Sequence, residues 1–336
     1  MARKACASTK STRESLVRGL LKLAEGRWSA AEAEITRQAP LHDASVVNYL
    51  YAARVAQQRG DLERRDQYLR HAYGAKPHAE VAILLTQAEL QMEQAQLTQA
   101  LASLLRVQEL EPRQPRAQIL LADLYARMED WVALYQLLDR IEKDELLDEE
   151  RWLELAVRAQ SALLAVAARG GREPLRESWK ALPRRLRRHP GLIAAQARLL
   201  VEVGAQDEAA TLLRTALDRG WHAELGLLFS GLQVEDPLSQ LAAVEAWLKR
   251  YGEDPILLLV AGRLCRQNKL WGRARSYLES SFKALPRPDS LLELGRVHEA
   301  TNNPAAAQAA YRQGLELAAQ EVGTSAIAEP AQRKAG

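Results

Sequence analysis

The sequence predicts an all-α protein, a superhelical solenoid of about nine stacked helix pairs. Two observations predict it: a composition that favours helix, and small residues that return at a nearly fixed interval along the 336 residues. Hydrophobic residues make up 47% of the chain but aromatics only 5%, with Ala and Leu conspicuous and few runs of Val, Ile or Thr. Ala and Leu lose little freedom in a helix, whereas β-branched runs favour strands. The thirteen prolines and eighteen glycines are too few for a collagen-like or disordered chain, and they fall at intervals.

Those intervals define the repeat. In the last two helix pairs, the glycines Gly262 and Gly295 open corresponding first helices 33 residues apart, and Ala274 and Ala307 keep the same spacing in the second helices. The second-helix position continues backwards through Ala31, Arg65, Ala100, Leu134, Ser178, Ala209 and Ala243. In five of the nine registers a proline follows twelve residues later: Pro77, Pro112, Pro190, Pro255 and Pro286. Proline cannot continue the second helix, so it turns the chain towards the next first helix. Small residues at Gly19, Ala53, Ala88 and Ala122 mark the corresponding first helices and let two backbones cross closely. The period resembles that of the tetratricopeptide repeat, about 34 residues, although no single copy carries the full consensus.

One interval, from Leu134 to Ser178, stretches to 44 residues. There a long first helix (150–168) is expected to end at Gly170-Gly171, followed by a second helix over 176–188 that Pro183 kinks or stops. The chain accordingly divides into a basic N-terminal segment (1–13), an N-terminal repeat block (14–148), an irregular long helix pair (149–190), a C-terminal repeat block (191–319) and a disordered tail (320–336).

Composition also narrows function. The 46 basic and 43 acidic residues leave a net charge of +3, which gives little reason to expect nucleic-acid binding. Cys6 and Cys265 form no CxxC and have no metal-ligand spacing, which suits a chain that does not depend on disulfides. No apolar run approaches the ~20 residues needed to span a bilayer, and the first dozen residues lack the apolar stretch of a secretory signal. No phosphate loop, dinucleotide fingerprint, nucleophile elbow or HExxH is present, so an enzyme has no constellation to rest on and no metal or cofactor site is evident. Trp28, Trp131 and Trp271 recur in the turn before the second helix and read as packing residues.

In such repeats the first helix lines the concave groove. Positions one past the small residue, and three or four beyond that, give Arg54, Glu89, Asp123, Arg127, Arg198, Arg263, Arg266 and Arg296 as the partner-binding groove. Its later half is mostly basic, which suits an acidic peptide or a carboxylate-bearing ligand. The densest cationic run, Arg184, Arg185, Arg187 and Arg188, reads either as cations suited to a helix C-terminus or as an anion or membrane patch. Cys265 and His298 each lie three residues after a first-helix glycine, a core-facing register.

Several stretches go beyond generic repeat pattern: Gly19-Leu-Leu-Lys-Leu-Ala-Glu-Gly-Arg-Trp28, Val47-Asn-Tyr-Leu-Tyr-Ala-Ala-Arg54 followed by Gln57-Gln-Arg-Gly-Asp61, the run from Gly262 to Glu279, and Trp179 followed by Leu182-Pro183. Together they resemble the proteobacterial HemY family of tetratricopeptide proteins, from about Arg3 to Ala318. The resemblance implies a non-enzymatic scaffold associated with a late step of protohaem synthesis. It also implies haem-biosynthesis enzymes as partners and a place on the cytoplasmic side of the inner membrane. The family's anchor would be two N-terminal membrane helices, which this chain, opening on Ala-Arg-Lys after Met1, does not contain. A second expectation is a haem or porphyrin carrier using the basic groove and His298 or Cys265.

Overall fold

A computed structural model describes residues 14–37, 45–75 and 79–332, and among these every regular element is helical. The helices follow one another in pairs. The first five are α1 (residues 14–24) and α2 (Trp28–Thr36), α3 (Ser45–Gln58) and α4 (Leu62–Ala75), α5 (Glu80–Glu93) and α6 (Leu97–Leu110), α7 (Pro115–Met128) and α8 (Trp131–Lys143), α9 (Glu149–Arg169) and α10 (Arg172–Ala181). Four more follow: α11 (Pro190–Glu202) and α12 (Gln206–Leu217), α13 (Ala223–Ser230) and α14 (Pro237–Tyr251), α15 (Pro255–Gln267) and α16 (Trp271–Ala284), α17 (Pro288–Ala300) and α18 (Pro304–Gln332). The chain forms two compact units, Met1–Ala159 and Gln160–Gly336, divided within α9. The basic segment 1–13 and Pro77 lie outside the described residues.

Seven of the nine described pairs are joined by the same turn. Where α3 ends, Gly60 takes a positive φ of 75° and the Asp61 N–H reaches back to the Ala56 carbonyl at 2.9 Å. The identical bond recurs from Gln96 to Gln91, from Ala205 to Leu200, from Leu270 to Cys265 and from Asn303 to His298. This closure satisfies carbonyls that a helix end leaves orphaned, and it needs one left-handed residue. Glycine fills that place at positions 26, 60 and 204, but Ala95, Glu129, Lys269 and Asn302 fill it elsewhere. Some helices also start on a side-chain cap: the Asp130 carboxylate accepts the Ala133 N–H at 3.1 Å, and Asp254 accepts those of Ile256 and Leu257 at 3.0 Å.

Within a pair the two backbones approach where the first helix carries its small residue. A Cβ added at Gly262 would lie 2.5 Å from Leu278 Cγ, and one at Gly295 would meet the Tyr311 ring. Ala53, Ala88 and Ala122 hold the equivalent place in the first unit and are almost fully buried. Beside them Leu69, Leu104 and Leu138, each sixteen residues later, complete the core of their pairs. The second-helix frame residue is buried at Ala31, Arg65, Ala100, Leu134, Ala209, Ala243, Ala274 and Ala307, whereas Ser178 is only half-buried.

The structure moves the register at two of these points. The Leu134, Ala209, Ala274 and Ala307 N–H groups each close on the residue just before their helix, and the same bond is made by Leu175 to Gly171 and by Gln240 to Asp236. Leu175 and Gln240, not Ser178 and Ala243, are therefore the equivalent positions. The cause is Gly171, whose φ of 97° lets α10 begin at Arg172, with Pro174 in the first turn where its missing N–H costs nothing. Pro183 follows the end of α10, so the second helix stops early instead of running to 188, and a single 3₁₀ turn covers Leu186–Arg188. At the other end, α18 extends to Gln332 through the stretch expected to be disordered from 320; its Ala-rich composition favours helix.

Indole hydrogen bonds tie successive pairs within each unit. Trp152 Nε1 donates to the Leu138 carbonyl at 3.1 Å, and Trp247 Nε1 donates to Asp218 at 2.7 Å. Trp28, Trp131 and Trp271 instead stand as the first residues of their helices and remain partly exposed, with the Arg158 guanidinium 5.7 Å from the Trp131 ring.

Candidate partner-binding face

The first helices of neighbouring pairs are joined by charged side chains, and most of the groove residues expected from the sequence belong to these links. In the first unit Arg54 of α3 donates to Glu89 of α5 at 2.5 Å, and Arg116 of α7 reaches the same carboxylate at 3.0 Å. Arg127 donates to the Met92 carbonyl at 3.2 Å, and Asp123 accepts from Arg151 of α9 at 2.8 Å. Every one of these contacts runs from one first helix to the next, about one repeat away in sequence.

The second unit concentrates the pattern. Glu293 of α17 is 2% exposed and accepts from Arg266 at 2.6 Å, Arg296 at 3.0 Å and Arg263 at 3.2 Å. Three guanidiniums on one carboxylate leave excess positive charge at the surface, since Arg296 is still about half-exposed while Arg263 and Arg266 are less so. Arg198 pairs with Glu224 of α13 at 2.6 Å, away from that node. The structure thus brings Arg263, Arg266 and Arg296 together, and separately Arg54 with Glu89.

Between α11 and α13 lies a trough of about 610 Å³ walled by Ala197, Val201, Leu213, Leu227, Leu228 and Leu232. The Arg198–Glu224 pair stands at its rim, and Val201 is 36% exposed. Of these residues the sequence pointed only to Arg198; it missed Glu224 and the apolar floor. Glu293 was missed as well, although it lies three residues before Arg296 and so on the same helical face.

The arginine run occupies the 3₁₀ turn. Arg184, Arg185 and Arg188 are exposed, and Arg187 is half-buried with its Nε enclosed and without a hydrogen-bond partner. Cys265 and His298 share a register but not an environment. The Cys265 side chain is fully buried and His298 half-exposed. Burial pushes the Cys265 thiol up to about 11. A porphyrin iron takes a thiolate, so a neutral thiol sealed between helices does not fit that role. No cluster of His, Cys, Asp and Glu suited to a metal ion occurs among the described residues, and no helix among them is long and apolar enough to cross a membrane.

Several known proteins are similar to this chain. A family model for the HemY protein N-terminus matches residues 2–60, and a tetratricopeptide repeat model matches residues 288–321. Protein HemY of Escherichia coli strain K12 is 28% identical over 309 residues, spanning 92% of this chain and 78% of that protein. Protein HemY of Shigella flexneri matches to the same extent. The chain is thus similar to HemY proteins along most of its length. A solved tetratricopeptide repeat protein from Parabacteroides merdae aligns over 91% of this chain and 93% of its own, at 14% identity and a TM-score of 0.35.

The buried thiol gives this chain a measurable signature. The thiolate fraction falls tenfold per pKa unit, so raising the thiol from the ordinary value of about 9 to about 11 lowers reactivity roughly 100-fold. Alkylation followed by mass spectrometry of the Cys265 peptide at pH 8 should therefore be about 100-fold slower in the native protein than in urea. Because the folded thiol titrates above the unfolded one, its contribution to stability is complete below pH 9 and is lost as pH rises towards 11.

Proposed function

We propose that this chain is a member of the HemY family and a non-enzymatic scaffold that binds protein partners on the exposed face of its first helices. The reading extends to a late step of protohaem biosynthesis and to the cytoplasmic face of the inner membrane. The observation that carries the binding mode is the trough between α11 and α13, an apolar floor with a charged rim. Such a surface accepts the apolar side of an amphipathic segment. The guanidinium excess at Glu293 favours partners with an acidic stretch, by steering more than by added affinity. Family resemblance alone supports the link to haem synthesis and the membrane face.

Crosslinking in intact cells, followed by purification through this chain and identification of the attached proteins, tests the reading. Recovery of tetrapyrrole-pathway enzymes is expected, with yield reduced by Val201→Glu, an exposed position where a charge does not disturb the core. Absence of every such enzyme from the crosslinked set removes the haem assignment.

A further inference from the structure

A second surface of the unit Gln160–Gly336 is built for an anion. After the 3₁₀ turn, His189 stands immediately before α11, and after α12 the chain turns through Arg219 to His222, which stands immediately before α13. These two helix starts border one pocket of about 490 Å³. Arg188, Arg219 and His222 are its cationic or protonatable lining, Pro190, Ile193 and Leu225 form an apolar wall, and no carboxylate lines it. The nearest acids in sequence, Asp218 and Glu224, are engaged elsewhere: the Asp218 carboxylate accepts from Trp247 at 2.7 Å and its carbonyl from Arg250 at 2.5 Å, and Glu224 accepts from Arg198 at 2.6 Å.

Three independent features leave this pocket short of negative charge. Helix N-termini carry partial positive charge and unsatisfied N–H groups, and neither histidine makes a side-chain cap to α11 or α13. Of the lining residues, His222 has its Nδ1 enclosed without a hydrogen-bond partner, and Arg187 Nε and His189 Nδ1 beside the pocket are likewise unpartnered, a costly arrangement. The His189 imidazole is also held below its ordinary pKa, first by burial and then by His222, so the two rings lie close enough to oppose each other's charging.

We propose that this pocket binds a phosphate monoester, with the dianion between Arg188 and Arg219 at the two helix starts and the esterified group against the apolar wall. Guanidinium forks and helix N-termini both match phosphate oxygens, and the summed positive charge suits a dianion better than a single carboxylate. The ester could be a free metabolite or the headgroup of an acidic phospholipid. The inference is independent of the partner-binding trough, which lies on other residues.

Calorimetric titration of the whole chain with inorganic phosphate and with phenyl phosphate at low salt provides the test, beside sedimentation with phosphatidylcholine vesicles with and without phosphatidic acid. The double variant Arg188→Gln/Arg219→Gln removes two exposed side chains, and circular dichroism confirms that it folds; Arg312→Gln, on the far exposed side chain of α18, is the charge control. The expected result is saturable binding, tighter for phenyl phosphate than for phosphate, weakened about tenfold or more in the double variant and unchanged in the control. Binding confined to phosphatidic acid vesicles and lost in the double variant supports the site with a lipid as its source. No binding of any probe, or equal binding by wild type and double variant, overturns it.

Discussion

Replacing Glu293 by alanine is expected to destabilise the unit Gln160–Gly336 by about 2–3 kcal/mol, measured by urea unfolding. The carboxylate is almost completely buried and is shared by Arg263, Arg266 and Arg296, two from α15 and one from its own helix. Alanine leaves the three guanidiniums with a single acid beside them, Asp289, 3.8 Å from Arg263. The loss stops short of the largest values known for buried pairs because all three guanidiniums retain contact with water and can turn outward. Glu293→Gln, which keeps the size and an acceptor, should cost less. In a background with Arg263 and Arg266 both changed to Ala, Glu293→Ala should cost markedly less than it does alone. A change within 0.5 kcal/mol for Glu293→Ala in the native background would mean that the node is ornamental.

Gly262→Ala is the second large effect, and it tests the close crossing of α15 and α16. The added methyl would sit 2.5 Å from Leu278 Cγ and 2.6 Å from its Cδ2, and Leu278 is fully buried with nowhere to retreat. Overpacking of this kind costs about 1–3 kcal/mol, partly offset by the better helix propensity of alanine. We expect a net loss near 2 kcal/mol. The same substitution at Gly295 should be milder, because the Tyr311 ring it meets is only half-buried and can swing aside. The decisive comparison is Gly262→Ala in a Leu278→Ala background. There the space exists already, and the substitution should become neutral or stabilising. A persistent loss in that background would place the strain in the backbone, against Ala274 O at 3.4 Å, and not in side-chain packing.

How far the sequence could be read depends on which physical constraint each position answers. Gly262 and Gly295 were legible because a close helix crossing admits so few residue types, and their spacing alone defined the repeat. The turns were half legible. Gly26, Gly60, Gly204 and Asn302 announce a left-handed residue, but Ala95, Glu129 and Lys269 adopt the same conformation against their steric preference, held there by the cap bonds around them. The irregular pair was misread by three residues because Pro174 looked like a break, when a first-turn proline is compatible with helix.

The binding face shows a different limit. Choosing Arg54, Glu89 and Arg263 from their helical register needed only the period. Learning that Arg54 and Arg116 share Glu89, or that three arginines converge on Glu293, needed the pitch from one pair to the next, which side-chain identities do not encode. The trough was invisible for a similar reason: Val201 and Leu228 lie one helix pair apart and read separately as ordinary apolar positions.

A photo-crosslinking amino acid placed at Val201, compared with the same group at Arg312 on the exposed side of α18, tests the central claim most directly. Binding along the first helices predicts discrete protein adducts in cells from position 201 and none from position 312. Equal adducts from both positions, or adducts from 312 alone, would contradict it.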